Sequence, residues 1–180
     1  MNPKEATALV ATLVEGFPNA KIGGGTVAVY AKALQDLDYA GAQAAVARML
    51  NGGDWFPTIH QIRDSYFDAA FGFPTADAAM IELRANIHSA GQHIGKTKWS
   101  HPLLLAAAES VGWWRISNGE NPAADYAQFL KAYESMRKAT ISEASLESAG
   151  IPSGTPKLPW RASMPALPGR TPTPPTEARA

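Results

Sequence analysis

The chain has 180 residues, balances 16 basic against 16 acidic side chains and contains no cysteine. That length suits one or two small domains, the neutral balance speaks against a protein whose main partner is a phosphate backbone, and the missing cysteines exclude disulfides and thiolate metal sites. No secretory pattern follows Met1-Asn2-Pro3-Lys4-Glu5, and the longest apolar run, residues 103–108, is far too short to cross a bilayer.

The first helix is signalled by Asn2 as N-cap, Pro3 at N1 and Glu5 at N3. Leu9, Val10, Leu13 and Val14 then recur at helical spacing, and Gly16-Phe17-Pro18 ends the run. Gly23-Gly24-Gly25 reads as a loop, with Thr26 as the expected cap of a second helix carrying Val27, Tyr30, Ala31 and Leu34 and ending near Leu37. Asp38 caps a third, whose inner face is Ala42, Ala45, Val46, Met49 and Leu50, and Gly52-Gly53 closes it. A fourth opens behind Pro57, with Thr58 and Gln61 at the spacing of a capping box and an apolar stripe of Ile59, Ile62, Tyr66, Phe67 and Ala70. Four short amphipathic helices with short links describe a bundle.

Gly72-Phe73-Pro74 punctuates the chain. Thr75 caps a fifth helix through Ala79, Met80, Leu83 and Ile87, and residues 90–98 read as a loop. His101-Pro102 opens a sixth helix, closed by Gly112, and Asn121-Pro122 starts a last long one with Tyr126, Phe129, Leu130, Tyr133 and Met136 inward. Trp113 and Trp114 fall between those two, where large rings seal a helical hairpin. From about Ala144 the composition changes, and eight of the fourteen prolines lie in residues 150–180. Proline at that density opposes both helix and sheet, so an extended, disordered tail is expected there. The fold class is therefore all-α: small helical bundles over residues 1–71 and 72–143, then a Pro-rich disordered C-terminal tail over 144–180.

Two segments carry a resemblance. Leu34-Gln35-Asp36-Leu37-Asp38-Tyr39 steps into an Ala-rich helix, and Phe56-Pro57 with Gln61-Ile62 opens the next. Together they resemble the N-terminal domain of the phage helicase loader-and-inhibitor family, over about residues 5–67. Gln61 stands where that family more often has Glu, and Tyr30 where it often has Trp; neither change disturbs capping or packing. The pattern of Trp99, His101-Pro102, Ala107 and Gly112-Trp113-Trp114, followed by Phe129 and Tyr133, is similar to segments of other phage replication proteins. The resemblance implies a non-enzymatic replication accessory protein in the host cytoplasm. It would bind the replicative hexameric DNA helicase, restrain it and help load it at the origin through a phage origin-binding initiator. No sequence-specific contact to nucleic acid, no membrane association and no cofactor is implied.

Other constellations are weak. Lys21 precedes Gly23-Gly24-Gly25-Thr26 and no strand leads into it, so the phosphate-loop pattern fails. His88 and His93 lie five apart, on different helical faces, and His60 and His101 are isolated, so no metal site is expected. Nothing has the spacing of a catalytic pair, and capping accounts for Asp38. Trp113, Trp114 and Arg115 could stack on bases, although packing explains large rings in a small domain better. The tail holds Leu158, Trp160, Arg161, Met164 and Leu167 in a Pro-rich context. Such anchors fit a partner contact, since Trp and Arg dominate interface energetics; the plainer reading packs them back on the bundle. A helical DNA-binding replication organiser and a phage structural or assembly protein remain as alternatives, and the first would need a basic helix face that the charge pattern does not offer.

Overall fold

The computed structural model describes residues 1–151 and Trp160. Among them every regular element is a helix. The chain divides into two compact units, the first Met1–Tyr66 and the second Phe67–Met164. The sequence reading of the tail beyond residue 151, Trp160 apart, lies outside the described residues.

The first unit holds α1 (Pro3–Gly16), α2 (Gly24–Leu34), α3 (Tyr39–Gly52) and most of α4 (Ile59–Phe71). The Asn2 side chain accepts from the Glu5 amide at 2.9 Å while Glu5 accepts from the Asn2 amide at 2.8 Å, a closed capping box. Thr58 and Gln61 form a second one, at 2.8 and 3.2 Å. The expected core is the observed one: Leu13, Leu34, Val46 and Ile62 are all buried, joined by Ala6, Val10, Leu37, Ala42 and Ala45. The second helix differs from expectation at its start. Gly23, not Thr26, is its N-cap, and the Thr26 and Val27 amides donate to the Gly23 carbonyl. Glycine is accepted at an N-cap because its carbonyl alone starts the ladder.

The second unit is built from α5 (Ala76–Ala90), α6 (Pro102–Val111), α7 (Trp113–Asn118) and α8 (Pro122–Ser148), with the last residues of α4 leading in. Its core gathers Leu83, Leu103, Leu104, Ala107, Ala108, Trp113, Ile116, Phe129 and Tyr133. Phe67, Phe71 and Phe73 stack in succession and end against the His101 ring, 5.0 Å from Phe73. The unit therefore begins ahead of Gly72-Phe73-Pro74, where the sequence suggested a break after residue 71.

Three local features were not foreseen. The loop after α5 contains a 3₁₀ turn, Ile94–Lys96, pinned by buried Asn86, which exchanges two 2.8 Å hydrogen bonds with the Lys98 backbone. Gly112, at φ 97°, ends α6 and lets α7 restart at once, so Trp113 and Trp114 sit on a helix of their own. The last helix continues to Ser148, past residue 143. Thr140, Ile141, Glu143 and Ala144 are buried there, so packing holds the extra turn.

Candidate functional site

The Leu34–Tyr39 step is a fastening between helices. Asp38 caps α3, accepting from the Gly41 amide at 2.9 Å. Asp36 faces Arg63 of α4, whose two terminal nitrogens meet its two carboxylate oxygens at 2.8 and 2.6 Å. One of those nitrogens also donates to the Ala33 carbonyl at 2.8 Å. Arg63 is 8% exposed, so this forked pair ties the end of α2 to α4 with little water present. The Tyr66 hydroxyl lies 3.4 Å from the Asp38 amide, and burial raises its pKa above the ordinary value. The two aspartates are thus structural, one as a cap and one as half of an ion pair. The pairing of Asp36 escaped sequence reading because its partner lies 27 residues away.

Exposed apolar groups on the first unit suggest where a partner could touch it. Phe56 turns inward, its ring 6.0 Å from Phe17 and 5.5 Å from Tyr30. Its neighbour Trp55 turns outward and is 86% exposed. Val29, beside Tyr30 in sequence, is also exposed. A cleft of about 170 Å³ opens between α1 and α3, lined by Leu9, Thr12, Tyr39, Gln43, Val46 and Leu50. Sequence reading used Trp55 only as part of a helix-start signal. The available clue was its place in a polar loop after Gly52-Gly53, where a large ring finds little to cover it.

In the second unit a groove of about 500 Å³ runs between α6 and α8. Pro102, Leu105, Ala106, Glu109 and Ser110 line it from α6, with Met136 of α8 and Trp160 completing the wall. Trp160 is partly buried against the core, and its indole N–H donates to the Thr140 hydroxyl at 3.1 Å. Of the five tail anchors read from sequence, this places Trp160 alone; Leu158, Arg161, Met164 and Leu167 lie outside the described residues.

The Trp113-Trp114-Arg115 run splits. Trp113 is buried, its indole N–H donating to the Gly91 carbonyl at 2.9 Å. Arg115 reaches buried Asp125 at 2.7 Å. Only Trp114, 68% exposed, projects outward, so the three do not form a joint stacking surface. His101 is buried, and its Nδ1 accepts from the Leu103 amide at 3.1 Å, capping α6. Burial lowers its pKa, against an opposing pull from the Phe71 carbonyl and Glu82. Among the described residues no group of three or more His, Asp or Glu could hold a metal ion, and no helix is long and apolar enough to cross a membrane.

Capped short helices locked by a buried Asp–Arg pair, with aromatic side chains left at the surface, define a helical interaction domain. Residues 1–63 match the family model for the N-terminal domain of the gp39P-like phage helicase loader/inhibitor. This is the family that the Leu34–Tyr39 and Phe56–Ile62 elements resemble, and it marks residues 1–63 as the N-terminal domain of a phage helicase-associated protein. No curated protein and no solved structure matches the chain.

Proposed function

We propose that this protein is a non-enzymatic accessory factor of phage DNA replication that binds the replicative hexameric helicase, restrains it, and helps deliver it to the origin in the host cytoplasm through an initiator protein. The observation that carries the reading is the family match over residues 1–63. The fold supports it physically, since a rigid capped bundle presenting Trp55 suits an interaction domain. The tail anchors Leu158, Trp160, Arg161, Met164 and Leu167 add a second contact in this reading, with Trp filling an apolar pocket and Arg pairing with a carboxylate. On a six-membered ring even a weak contact per subunit gains from repetition.

The test is capture of the replicative helicase by the tagged chain, repeated with Trp55→Ala, Trp160→Ala and a deletion of residues 151–180. The intact chain should retain the helicase, and each change should weaken retention while the helical melt of the first unit stays in place. No retention by the intact chain, across salt and nucleotide conditions, would reject the reading.

A further inference from the structure

We infer that the groove between α6 and α8 is the docking site of the chain's own C-terminal segment, residues 160–167, with Trp160 as its anchor and Arg161 on the carboxylate of Glu143. Four features converge on this. Trp160 is seated at the groove with its indole N–H on Thr140, a fully buried hydroxyl whose own proton goes to the Met136 carbonyl at 2.8 Å. The groove beside that ring has about 500 Å³ of room, in the range that takes a ligand rather than a single methyl group.

The third feature is charge. Glu143 lies three residues beyond Thr140 on the same face of α8 and is 4% exposed. Neither of its carboxylate oxygens has a hydrogen-bond partner among the described residues. A buried carboxylate needs a cation or donors. Arg161 adjoins Trp160, so a guanidinium is tethered within reach of it. Glu109 on the α6 rim of the groove adds a second acidic group facing the same segment.

The fourth is chain geometry. At the end of α8 the Ile151 amide donates to the Leu146 carbonyl at 3.0 Å and the Gly150 amide to the Glu147 carbonyl at 3.1 Å. Gly150 has φ 73°, and the two bonds form a Schellman turn that reverses the chain against the helix it has left. From Ser148 back to Thr140 the helix measures about 12 Å at 1.5 Å per residue. The stretch from Ile151 to Trp160 can span up to about 30 Å when extended, so the return is reached with slack. Pro152, Pro156 and Pro159 in that tether reduce the freedom lost on docking.

The dock would compete with any partner that takes the same anchors, because a segment held in cis is available only for the undocked fraction of time. That consequence rests on the tail contact proposed above; the dock itself is measured on the protein alone. The experiment is ¹⁵N NMR of the full chain, with the indole signal assigned through Trp160→Phe. The Trp160 indole should lie away from its free-peptide position and exchange at least about tenfold more slowly than a free indole. Ala106→Glu, which fills the groove wall with charge, and Thr140→Val should both return it to the free position, while the Trp113 indole signal stays put as a control for folding. Glu143→Gln and Arg161→Gln should each weaken protection, and their combination should do no more than either alone. A Trp160 indole that already exchanges freely in the parent would overturn the dock. Glu143→Gln that leaves or raises protection would remove Arg161 from it. Failure of helicase capture with the indole protected would leave the dock standing and reject only the reading above.

Discussion

Asp36→Ala tests the claim that the first unit is fastened through its family-like step. The change removes the carboxylate that receives both terminal nitrogens of Arg63, at 2.8 and 2.6 Å, while Arg63 stays inside with its remaining bond to the Ala33 carbonyl. The Arg63 side chain is 9% exposed and that of Asp36 22%. Removing one partner of a buried ion pair typically costs about 3–5 kcal/mol, and the partial exposure of Asp36 puts this case near the lower end. In a unit of this size a loss of about 3 kcal/mol lowers the midpoint of thermal unfolding by more than about 10 °C. Hydrogen exchange of peptides from residues 1–66, followed through a melt, isolates the effect from the second unit. Asp36→Ala combined with Arg63→Leu should recover much of the loss, because the stranded charge leaves together with its partner. A single Asp36→Ala change within about 0.5 kcal/mol of the parent would refute the reasoning and reduce the pair to a surface contact.

Other outcomes follow from single buried groups. Ile62→Ala should cost about 2–5 kcal/mol in the same exchange measurement, since Ile62 is fully buried; an unchanged melt would place it outside the core. His101 is held below its ordinary pKa of 6.5 by burial, so the unfolded chain takes up the proton first as pH falls. The second unit should therefore lose stability from about pH 7 downward, levelling off once the folded imidazole is protonated, and His101→Asn should flatten that slope in urea melts across pH. Tyr133, pushed up to about 12 by burial, donates to the Pro74 carbonyl at 2.6 Å. The folded state then keeps a proton that the unfolded chain has lost, so stability should fall between about pH 10 and 12, and Tyr133→Phe should remove that alkaline loss while costing about 1–2 kcal/mol at neutral pH.

Much of the helical framework was legible because its signals are local. Asn2, Asp38, Thr58, Thr75, His101 and Asn121 each precede a helix and each bonds its first turn, so caps and spacing together give the element starts. Where no side chain does the capping, the start slipped, as at Gly23. The short helix Trp113–Asn118 was missed because six residues give no periodicity to read. Surface features were the least legible. Trp55 and Phe56 are adjacent and chemically alike, yet one is 86% exposed and the other packs between Phe17 and Tyr30. Which of them faces outward is decided by the direction in which the chain leaves α3, a tertiary matter. The seat of Trp160 on Thr140, 20 residues back, is likewise set by the fold of the second unit and leaves no local trace.

The central claim is engagement and restraint of the replicative helicase. The most direct measurement titrates the full chain into the purified hexameric helicase with single-stranded DNA present, reading complex formation by light scattering and ATP hydrolysis in the same samples. The account predicts a saturable complex in which hydrolysis by the helicase falls as the chain is added, with none contributed by the chain itself. Unchanged scattering and unchanged hydrolysis up to tens of micromolar chain, or hydrolysis by the chain alone, would contradict it.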